Sequence, residues 1–408
     1  MLFYEINDIF KLKNKLRGEN MSFDFDKIND RRHSNSSKWN VGENELPMWV
    51  ADMDFQTVPE VLTAMKKDVE HGIFGYQYVP EEYYQAVAGW YKREHNFEPK
   101  LDWLVFSNGV MPSIGSILRH VTDFGDNVLL QEPNYNSFYK AINNNGHHIL
   151  NSELDYHDGK YSINWKDLEE KMADPRTTSM IVCNPHNPTG YIWTRGELTK
   201  IGTLAKKHDV LIISDEIHGD IMMPGHDYTP FASLDPEIAK NSISLVSPSK
   251  TFNLAILHAS TLIIPNAHIR QRVEQGIASD GLNEPGAMAI SGSIAAYTKG
   301  FDWLDGLKKY VAGNREYLEK FVSENIPEIK VLPAQATYLA WIDCVELTDE
   351  SDEFNQFLRD ETGLYLAEGT KYKGNGNCFL RMNLATPRSN VEDAVKRLKD
   401  GIEKFKNR

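Results

Sequence analysis

Six short apolar runs, separated by helix-length stretches, constrain the fold of this chain more than any other feature. They are Trp103–Ser107, Asn127–Gln131, Met180–Cys183, Val210–Ser214, Ile243–Ser247 and Ser260–Ile264. Runs of this length that are bounded by Gly, Pro and Asn are typical of βα units whose strands are buried on both faces. The sequence therefore predicts an α/β fold built on a largely parallel sheet with helices around it.

Five of these runs end in a polar cluster. The clusters are Asn108-Gly109-Val110-Met111-Pro112, Glu132-Pro133-Asn134-Tyr135, Asn184-Pro185-His186-Asn187-Pro188-Thr189-Gly190, Asp215-Glu216-Ile217-His218 and Pro248-Ser249-Lys250. In open parallel sheets, ligands bind outside the carboxyl ends of the strands. The five clusters are therefore expected to meet at one edge of the sheet and to form one site.

The pattern changes beyond about residue 300. A long amphipathic helix over Phe301–Glu324 is followed by strands at Tyr338–Ile342 and Cys378–Asn383 and by a closing helix at Asn390–Lys404. These elements predict a smaller α+β domain. The expected organisation is an N-terminal extension (1–20), a segment that joins the small domain (21–57), a large domain (58–300) and a small C-terminal domain (301–408).

Composition excludes several classes of partner. The formal net charge is −14 and the basic residues are scattered, which argues against nucleic acid and anionic membranes as partners. The longest apolar runs are far shorter than a membrane helix, and the first twenty residues do not resemble a signal peptide. Three widely separated cysteines favour neither a disulfide framework nor a zinc site. We therefore expect a cytoplasmic protein.

Two of the clusters are suited to binding an anion. Asn108-Gly109-Val110 precedes a predicted helix at Pro112–His120, so free backbone N–H groups and the helix dipole would favour a phosphate. An ordinary strand-to-helix turn is the alternative, because the motif is not a Walker loop. Ser247 and Ser249 add hydroxyl donors beside Lys250.

Lys250 follows a strand of the buried type. A lone lysine is more often a solvated surface cation, but that position is less natural directly after the run Ile243–Ser247. Desolvation would lower the pKa of its amine and make it nucleophilic. Lys250 is therefore a candidate for covalent catalysis through its amine.

Asp215 ends a strand of four apolar residues, where a carboxylate is costly without a cationic partner. A protonated ring nitrogen would be such a partner, whereas a helix N-cap is the alternative role. Asn187 and His218 could donate to or accept from a ring hydroxyl, and Tyr135 could stack on an aromatic ring. Each of these three residues is weak evidence when taken alone.

These residues resemble a known family. The motifs are Ser247-Pro-Ser-Lys-Thr-Phe-Asn253, Asn187-Pro-Thr-Gly190, Ser214-Asp-Glu-Ile-His218, Trp49-Val-Ala-Asp-Met-Asp-Phe55, Phe74-Gly-Tyr76 and Arg381-Met-Asn-Leu-Ala-Thr-Pro-Arg388. Together they resemble the fold-type I enzymes of the class I/II aminotransferase group, which use pyridoxal 5′-phosphate (PLP), and most closely the MalY/PatB-type C–S β-lyases (cystathionine β-lyases). The resemblance implies an aspartate-aminotransferase-like fold with a mostly parallel seven-stranded sheet and a smaller α+β C-terminal domain.

The resemblance also implies a role for each matching residue. Lys250 would be the lysine that binds PLP and Asp215 the partner of its pyridine nitrogen. Tyr135 would stack on the ring, and Asn187 would hydrogen-bond the 3-hydroxyl with His218 nearby. The phosphate would be held by Gly109, Val110, Ser247 and Ser249. Tyr76 would contact the phosphate of the neighbouring subunit, and Arg381 would bind the substrate α-carboxylate. A homodimer with a shared active site follows from the role of Tyr76.

One segment departs from the family pattern. After Phe252-Asn253-Leu254-Ala255, the family usually continues with Gly, Leu and a residue such as Gln or Arg, whereas this chain has Ile256-Leu257-His258. A β-branched Ile does not readily adopt the positive φ or leave the space that Gly provides. This departure predicts an altered phosphate pocket, with His258 in place of the usual donor or cation.

The implied reaction is α,β-elimination from cystathionine or a related S-substituted cysteine, as part of amino-acid metabolism and methionine biosynthesis. Its products are a thiol, pyruvate and ammonia. An aminotransferase on the same scaffold is the alternative, and His218, where typical aminotransferases have Tyr, favours the lyase. A regulatory protein without catalysis is a further alternative.

Overall fold

The structure is a computed structural model and describes residues 23–408. The predicted extension at residues 1–20 lies outside the described residues. In chain order the strands are β1 (Leu46–Pro47), β2 (Leu104–Ser107), β3 (Asn127–Leu130), β4 (His148–Asn151), β5 (Asp155–His157), β6 (Lys160–Ser162), β7 (Thr177–Cys183), β8 (Leu211–Asp215), β9 (Ser242–Val246), β10 (Ser260–Ile263), β11 (Lys330–Val331), β12 (Leu339–Asp343), β13 (Leu364–Tyr365), β14 (Ala367–Glu368) and β15 (Phe379–Asn383).

The α-helices separate these strands along the chain. They are α1 (Pro59–His71), α2 (Glu81–His95), α3 (Val110–Val121), α4 (Asn136–Asn144), α5 (Trp165–Met172), α6 (Arg195–Lys207), α7 (Pro236–Ala239), α8 (Pro248–Thr251), α9 (Ala267–Ser279), α10 (Ala289–Lys299), α11 (Phe301–Asn325), α12 (Ser351–Thr362) and α13 (Arg388–Lys406). No helix in the described part of the chain is both long enough and apolar enough to cross a membrane.

A seven-stranded sheet in the order β2-β10-β9-β8-β7-β3-β4 forms the centre of the molecule. Its strands are parallel except β10, which is antiparallel to both of its neighbours. The six predicted runs are all strands of this sheet, so that prediction is confirmed. The sequence did not predict β4, an edge strand whose residues are exposed or half-buried.

Helices cover both faces of the sheet because successive side chains of each strand point to opposite sides. On one face, Ile181 of β7 and Ile213 of β8 pack in one apolar cluster with residues of α3, α4 and α9. On the other face, Met180 and Ile212 pack with residues of α5 and α6. In the central strands β7, β8 and β9 every residue except Thr178 is buried, which explains why apolar residues predominate in them.

The C-terminal part of the chain is a smaller α+β unit with its own core. Its antiparallel sheet has the order β11-β12-β15-β14, and α11, α12 and α13 pack against it around an apolar cluster. The N-terminal segment joins this unit, since β1 pairs in parallel with β13. The predicted fold class is thus confirmed, while the exact domain boundaries stay a prediction.

Candidate active site

The carboxyl ends of β3, β7, β8 and β9 meet the polar clusters at a single cavity. Its lining includes nine of the predicted site residues, namely Gly109, Val110, Tyr135, Asn187, Asp215, His218, Ser247, Ser249 and Lys250. The lining also includes Ala51, Met111, Cys183, Ile217, Ala255, His258 and Ala259. The expectation that these strand ends converge is therefore met by the structure.

Lys250 lies in α8, the short helix that follows β9 and is capped by Ser247. Its Nζ donates a hydrogen bond to the carbonyl oxygen of Ala51 at 2.5 Å. Burial lowers the pKa of this amine to about 8, and the nearby charge of Arg381 acts in the same direction. An appreciable fraction of the amine is therefore uncharged near neutral pH and can act as a nucleophile or a base.

Asp215 ends β8 and is 4% exposed. Its Oδ1 accepts a hydrogen bond from the backbone N–H of Ile217 at 3.1 Å. Burial, together with the charge of Glu216, raises the pKa of this carboxyl to about 7. A positively charged ring nitrogen would relieve this desolvation, so the environment of Asp215 suits such a partner.

His218 and Asn187 are both buried at the cavity. Burial lowers the pKa of His218 to about 3, so its imidazole is neutral at physiological pH. Its Nδ1 has no hydrogen-bond partner within residues 23–408. A buried polar atom of this kind is costly unless a bound group satisfies it. His218 is therefore available to a ligand.

The other end of the cavity can hold an anion. Gly109 precedes α3 with a φ of +122°, which a side chain would strain. Ser247 Oγ lies 2.8 Å from Ser249 Oγ and 2.7 Å from the carbonyl oxygen of Ala259. The free N–H groups of a 12-residue helix and two hydroxyls thus surround a space suited to phosphate.

Arg381 lies on β15 of the smaller unit and is 4% exposed. One guanidinium nitrogen donates to Asn187 Oδ1 at 3.1 Å and another to the carbonyl oxygen of Trp49 at 2.8 Å. Its Nε has no partner among the residues that the structure describes. The cation is thus fixed next to Asn187 with donor capacity left for a carboxylate.

Sequence reasoning missed the structural role of the segment Trp49–Phe55. The carbonyl oxygen of Ala51 accepts from Lys250 and also from the hydroxyl of Tyr338 at 3.2 Å. The side-chain amides of Asn253 and Asn383 hold this segment through five hydrogen bonds to its backbone. The string WVADMDF was notable in the sequence, but no residue type signals that a backbone oxygen will contact a lysine.

Two predicted features lie elsewhere. Tyr76 is 100% exposed and is not among the residues that line the cavity of the single chain, so its contact across a subunit boundary stays a prediction. Ile256 is 84% exposed and does not line the cavity, whereas His258 does and has the positive φ of +47°. In the single chain the side chain of Ile256 points to solvent, whereas the expected change of the phosphate pocket through His258 stays a prediction.

The arrangement fits PLP. The cofactor needs an amine, a carboxylate for its ring nitrogen and a binding site for its phosphate. Lys250 provides the amine, Asp215 provides the carboxylate, and the residues around Gly109 and Ser247 provide the phosphate site, all at one cavity. The unpartnered Nδ1 of His218 is available to the ring hydroxyl. No element of this set requires a change in the fold.

Comparisons with known proteins give the same picture. The family model described as Aminotransferase class I and II matches residues 38–398. The chain is 39% identical over 384 residues to cystathionine beta-lyase PatB of Bacillus subtilis, covering 93% of this chain and 99% of PatB. It is 31% identical over 389 residues to protein MalY of Escherichia coli, covering 93% of this chain and 99% of MalY.

A solved structure agrees over the same length. Cystalysin from Treponema denticola, which contains PLP, superposes with a TM-score of 0.91 at 33% identity. The match covers 94% of this chain and 100% of cystalysin. The predicted fold type and the predicted family resemblance are both confirmed by these similarities.

Proposed function

Because the chain belongs to the class I and II aminotransferase family, we propose that it is a PLP-dependent carbon–sulfur β-lyase. It eliminates a thiol from cystathionine or a related S-substituted cysteine and leaves pyruvate and ammonia. The observation that carries the proposal is that the half-buried Lys250 and the buried Asp215 line one cavity, in a chain 39% identical to a cystathionine beta-lyase. The similarity to PatB, a cystathionine beta-lyase, supports a lyase in particular.

Bound PLP supplies an electron sink for the pair of electrons left at the substrate Cα. The chain supplies the rest. Lys250, with a pKa of about 8, takes the proton from Cα as a general base. Asp215 holds a positive charge at the ring nitrogen, and Arg381 fixes the α-carboxylate of the substrate so that the Cα–H bond stays near the lysine.

The remaining residues orient the cofactor. With PLP bound, Tyr135 would stack on its ring, and Asn187 and His218 would hydrogen-bond its 3-hydroxyl. Its phosphate is held by Gly109, Val110, Ser247 and Ser249. The 2.8 Å separation of the two serine hydroxyls and the position of Gly109 before α3 support this assignment.

A second copy of the chain completes the assembly. The segment between α1 and α2 has no regular structure and exposes four large apolar side chains, those of Ile73, Phe74, Tyr76 and Tyr78. Large exposed apolar patches are typical of protein interfaces. We therefore propose a homodimer in which Tyr76 reaches the partner's phosphate site. The free thiols of Cys183 and Cys344 are compatible with the reducing cytoplasm that is part of this proposal.

The test compares two products. Purified protein with PLP is incubated with cystathionine, and pyruvate and thiol are measured over time. The proposal predicts both in equal amounts, with no 2-oxo acid required. Failure to form pyruvate, together with transfer of the amino group to an added 2-oxo acid, would instead identify an aminotransferase.

A further inference from the structure

Glu216 is a buried carboxyl directly behind the cofactor site. It is 2% exposed, follows Asp215 and continues the pairing of β8, since its backbone N–H donates to the carbonyl oxygen of Leu245 at 2.9 Å. Successive side chains of a strand point to opposite faces. Asp215 therefore faces the cavity while Glu216 faces the interior on the other side of the sheet, next to Ser214 and Ser244.

Four donors surround the Glu216 carboxyl. Oε1 accepts from Ser214 Oγ at 2.8 Å, from Ser244 Oγ at 3.0 Å and from the backbone N–H of Phe231 at 2.9 Å. Oε2 accepts from the hydroxyl of Tyr228. A carboxylate oxygen offers about two lone-pair sites, so Oε1 is fully engaged by its three donors and Oε2 accepts one. None of the four donors carries a charge, so the negative charge is not neutralised by them.

We infer that Glu216 is a positioning residue that acts through Asp215. Held as a carboxylate behind the strand, it strengthens the negative field at Asp215, and this field keeps the ring nitrogen of the cofactor protonated. The inference rests on the proposed PLP function and names a residue that does not itself touch the cofactor.

Glu216 is among the groups that raise the pKa of Asp215, after burial itself, so its charge is felt at the cavity. A proton shared by Asp215 and a ring nitrogen is stabilised by the same charge. Burial raises the pKa of Glu216, while the hydrogen bonds from Tyr228, Phe231 and the two serines oppose that rise. In a protein interior, a unit charge about 10 Å from a titrating group changes the protonation equilibrium of that group about tenfold.

The substitution Glu216→Gln removes the charge and keeps the shape. An amide oxygen can still accept from Ser214, Ser244 and the backbone N–H of Phe231, and the amide nitrogen can donate to the Tyr228 oxygen. The matched control is Glu237→Gln, which removes a charge from an exposed surface ion pair with Lys206.

The experiment measures binding of two ligands to the protein freed of cofactor. One ligand is PLP, and the other is its carbocyclic analogue with a ring C–H in place of the nitrogen. Both share the aldehyde, hydroxyl and phosphate. We expect Glu216→Gln to reduce the preference for PLP over the analogue about tenfold, with the affinity for the analogue unchanged. Equal weakening of both ligands, or an unchanged preference, would overturn the inference, since a purely structural role affects both alike.

Tyr228→Phe keeps the inference testable if Glu216→Gln does not fold. It removes the donor to Oε2, together with a hydrogen-bond partner of Tyr91, so the preference for PLP should fall in the same direction by a smaller factor, and an unchanged preference would count against the inference. Failure of the proposed function is a different result. In that case the unsubstituted protein would not bind PLP, or would bind it and form no pyruvate from cystathionine.

Discussion

Two regions of this molecule bury charged side chains, and they treat them in opposite ways. Beneath the N-terminal segment, Asp54 is 3% exposed and Lys38 is 0% exposed, and their side chains are 2.7 Å apart. Arg31 and the indole nitrogen of Trp39 also donate to Asp54, at 2.9 Å and 2.7 Å. Every charge in this cluster has a partner within the chain.

Within residues 23–408, the charges at the cavity lack such partners. Lys250 contacts a carbonyl oxygen, and Asp215 accepts a backbone N–H. The pKa shifts differ accordingly. Burial raises the pKa of Asp215 to about 7, whereas in Asp54 the effect of burial is outweighed by Lys38 and the hydrogen bonds, so the pKa lies below its usual value. The paired charges are compensated within the fold, whereas the uncompensated ones are available to a ligand.

The largest effect is expected from Lys250→Ala. Pyruvate formation should fall by more than about 1000-fold, because both the covalent attachment point and the general base are lost. The fold should remain, since Lys250 forms no ion pair with any residue that the structure describes. The assay is pyruvate release from cystathionine, with thermal unfolding measured alongside. Lys240→Ala, which removes a surface lysine paired with Glu237, is the control and should keep full activity.

Lys38→Met tests the other side of the comparison. Breaking a buried ion pair leaves the Asp54 charge partly uncompensated, so we expect a loss of about 3 kcal/mol in the free energy of unfolding. Urea denaturation checks this value, with Lys27→Met at an exposed position as the control. A stability within error of the unsubstituted protein would show that the cluster is not what holds the N-terminal segment in place.

Arg381→Lys should reduce kcat/KM for cystathionine about 30-fold, mainly through KM. A lysine keeps the charge but loses the planar fork that can bind a carboxylate with two hydrogen bonds. Affinity for PLP should change little. Arg195→Lys, at an exposed position on α6, provides the control. A change in kcat alone, with KM preserved, would argue against a role of Arg381 in carboxylate binding.

The smallest effect is expected at Ile256. Because its side chain is 84% exposed and outside the cavity lining, Ile256→Ala should change the PLP affinity less than about twofold. The neighbouring Leu257 is buried and packs near Gly292, so Leu257→Ala should cost about 2–4 kcal/mol of stability. A strong loss of PLP affinity in Ile256→Ala would show that the Ile256 side chain itself shapes the phosphate pocket.

Much of the site was predictable because it lies at the ends of buried strands. Lys250, Asp215 and Asn187 each follow an apolar run, and parallel strands bring their carboxyl ends to one edge. The edge strand β4 was missed because its exposed and half-buried residues do not form an apolar run. The direction of the Ile256 side chain was also not predictable, since it depends on the conformation of a short turn and not on residue type.

The contact between Lys250 and Ala51 could not be predicted at all. The two residues are 199 positions apart, and every residue has a carbonyl oxygen. The placement of Ala51 depends on amides of Asn253 and Asn383, which come from the large and the small parts of the molecule. Tertiary packing of this kind has no local pattern in the sequence.

The most direct test of the central claim is to locate the bound cofactor chemically. The protein loaded with PLP is treated with borohydride, which converts an imine to a stable amine, and its peptides are analysed by mass spectrometry. The account predicts one phosphopyridoxyl group per chain, on Lys250. A label on another lysine, with Lys250 unmodified, would contradict it.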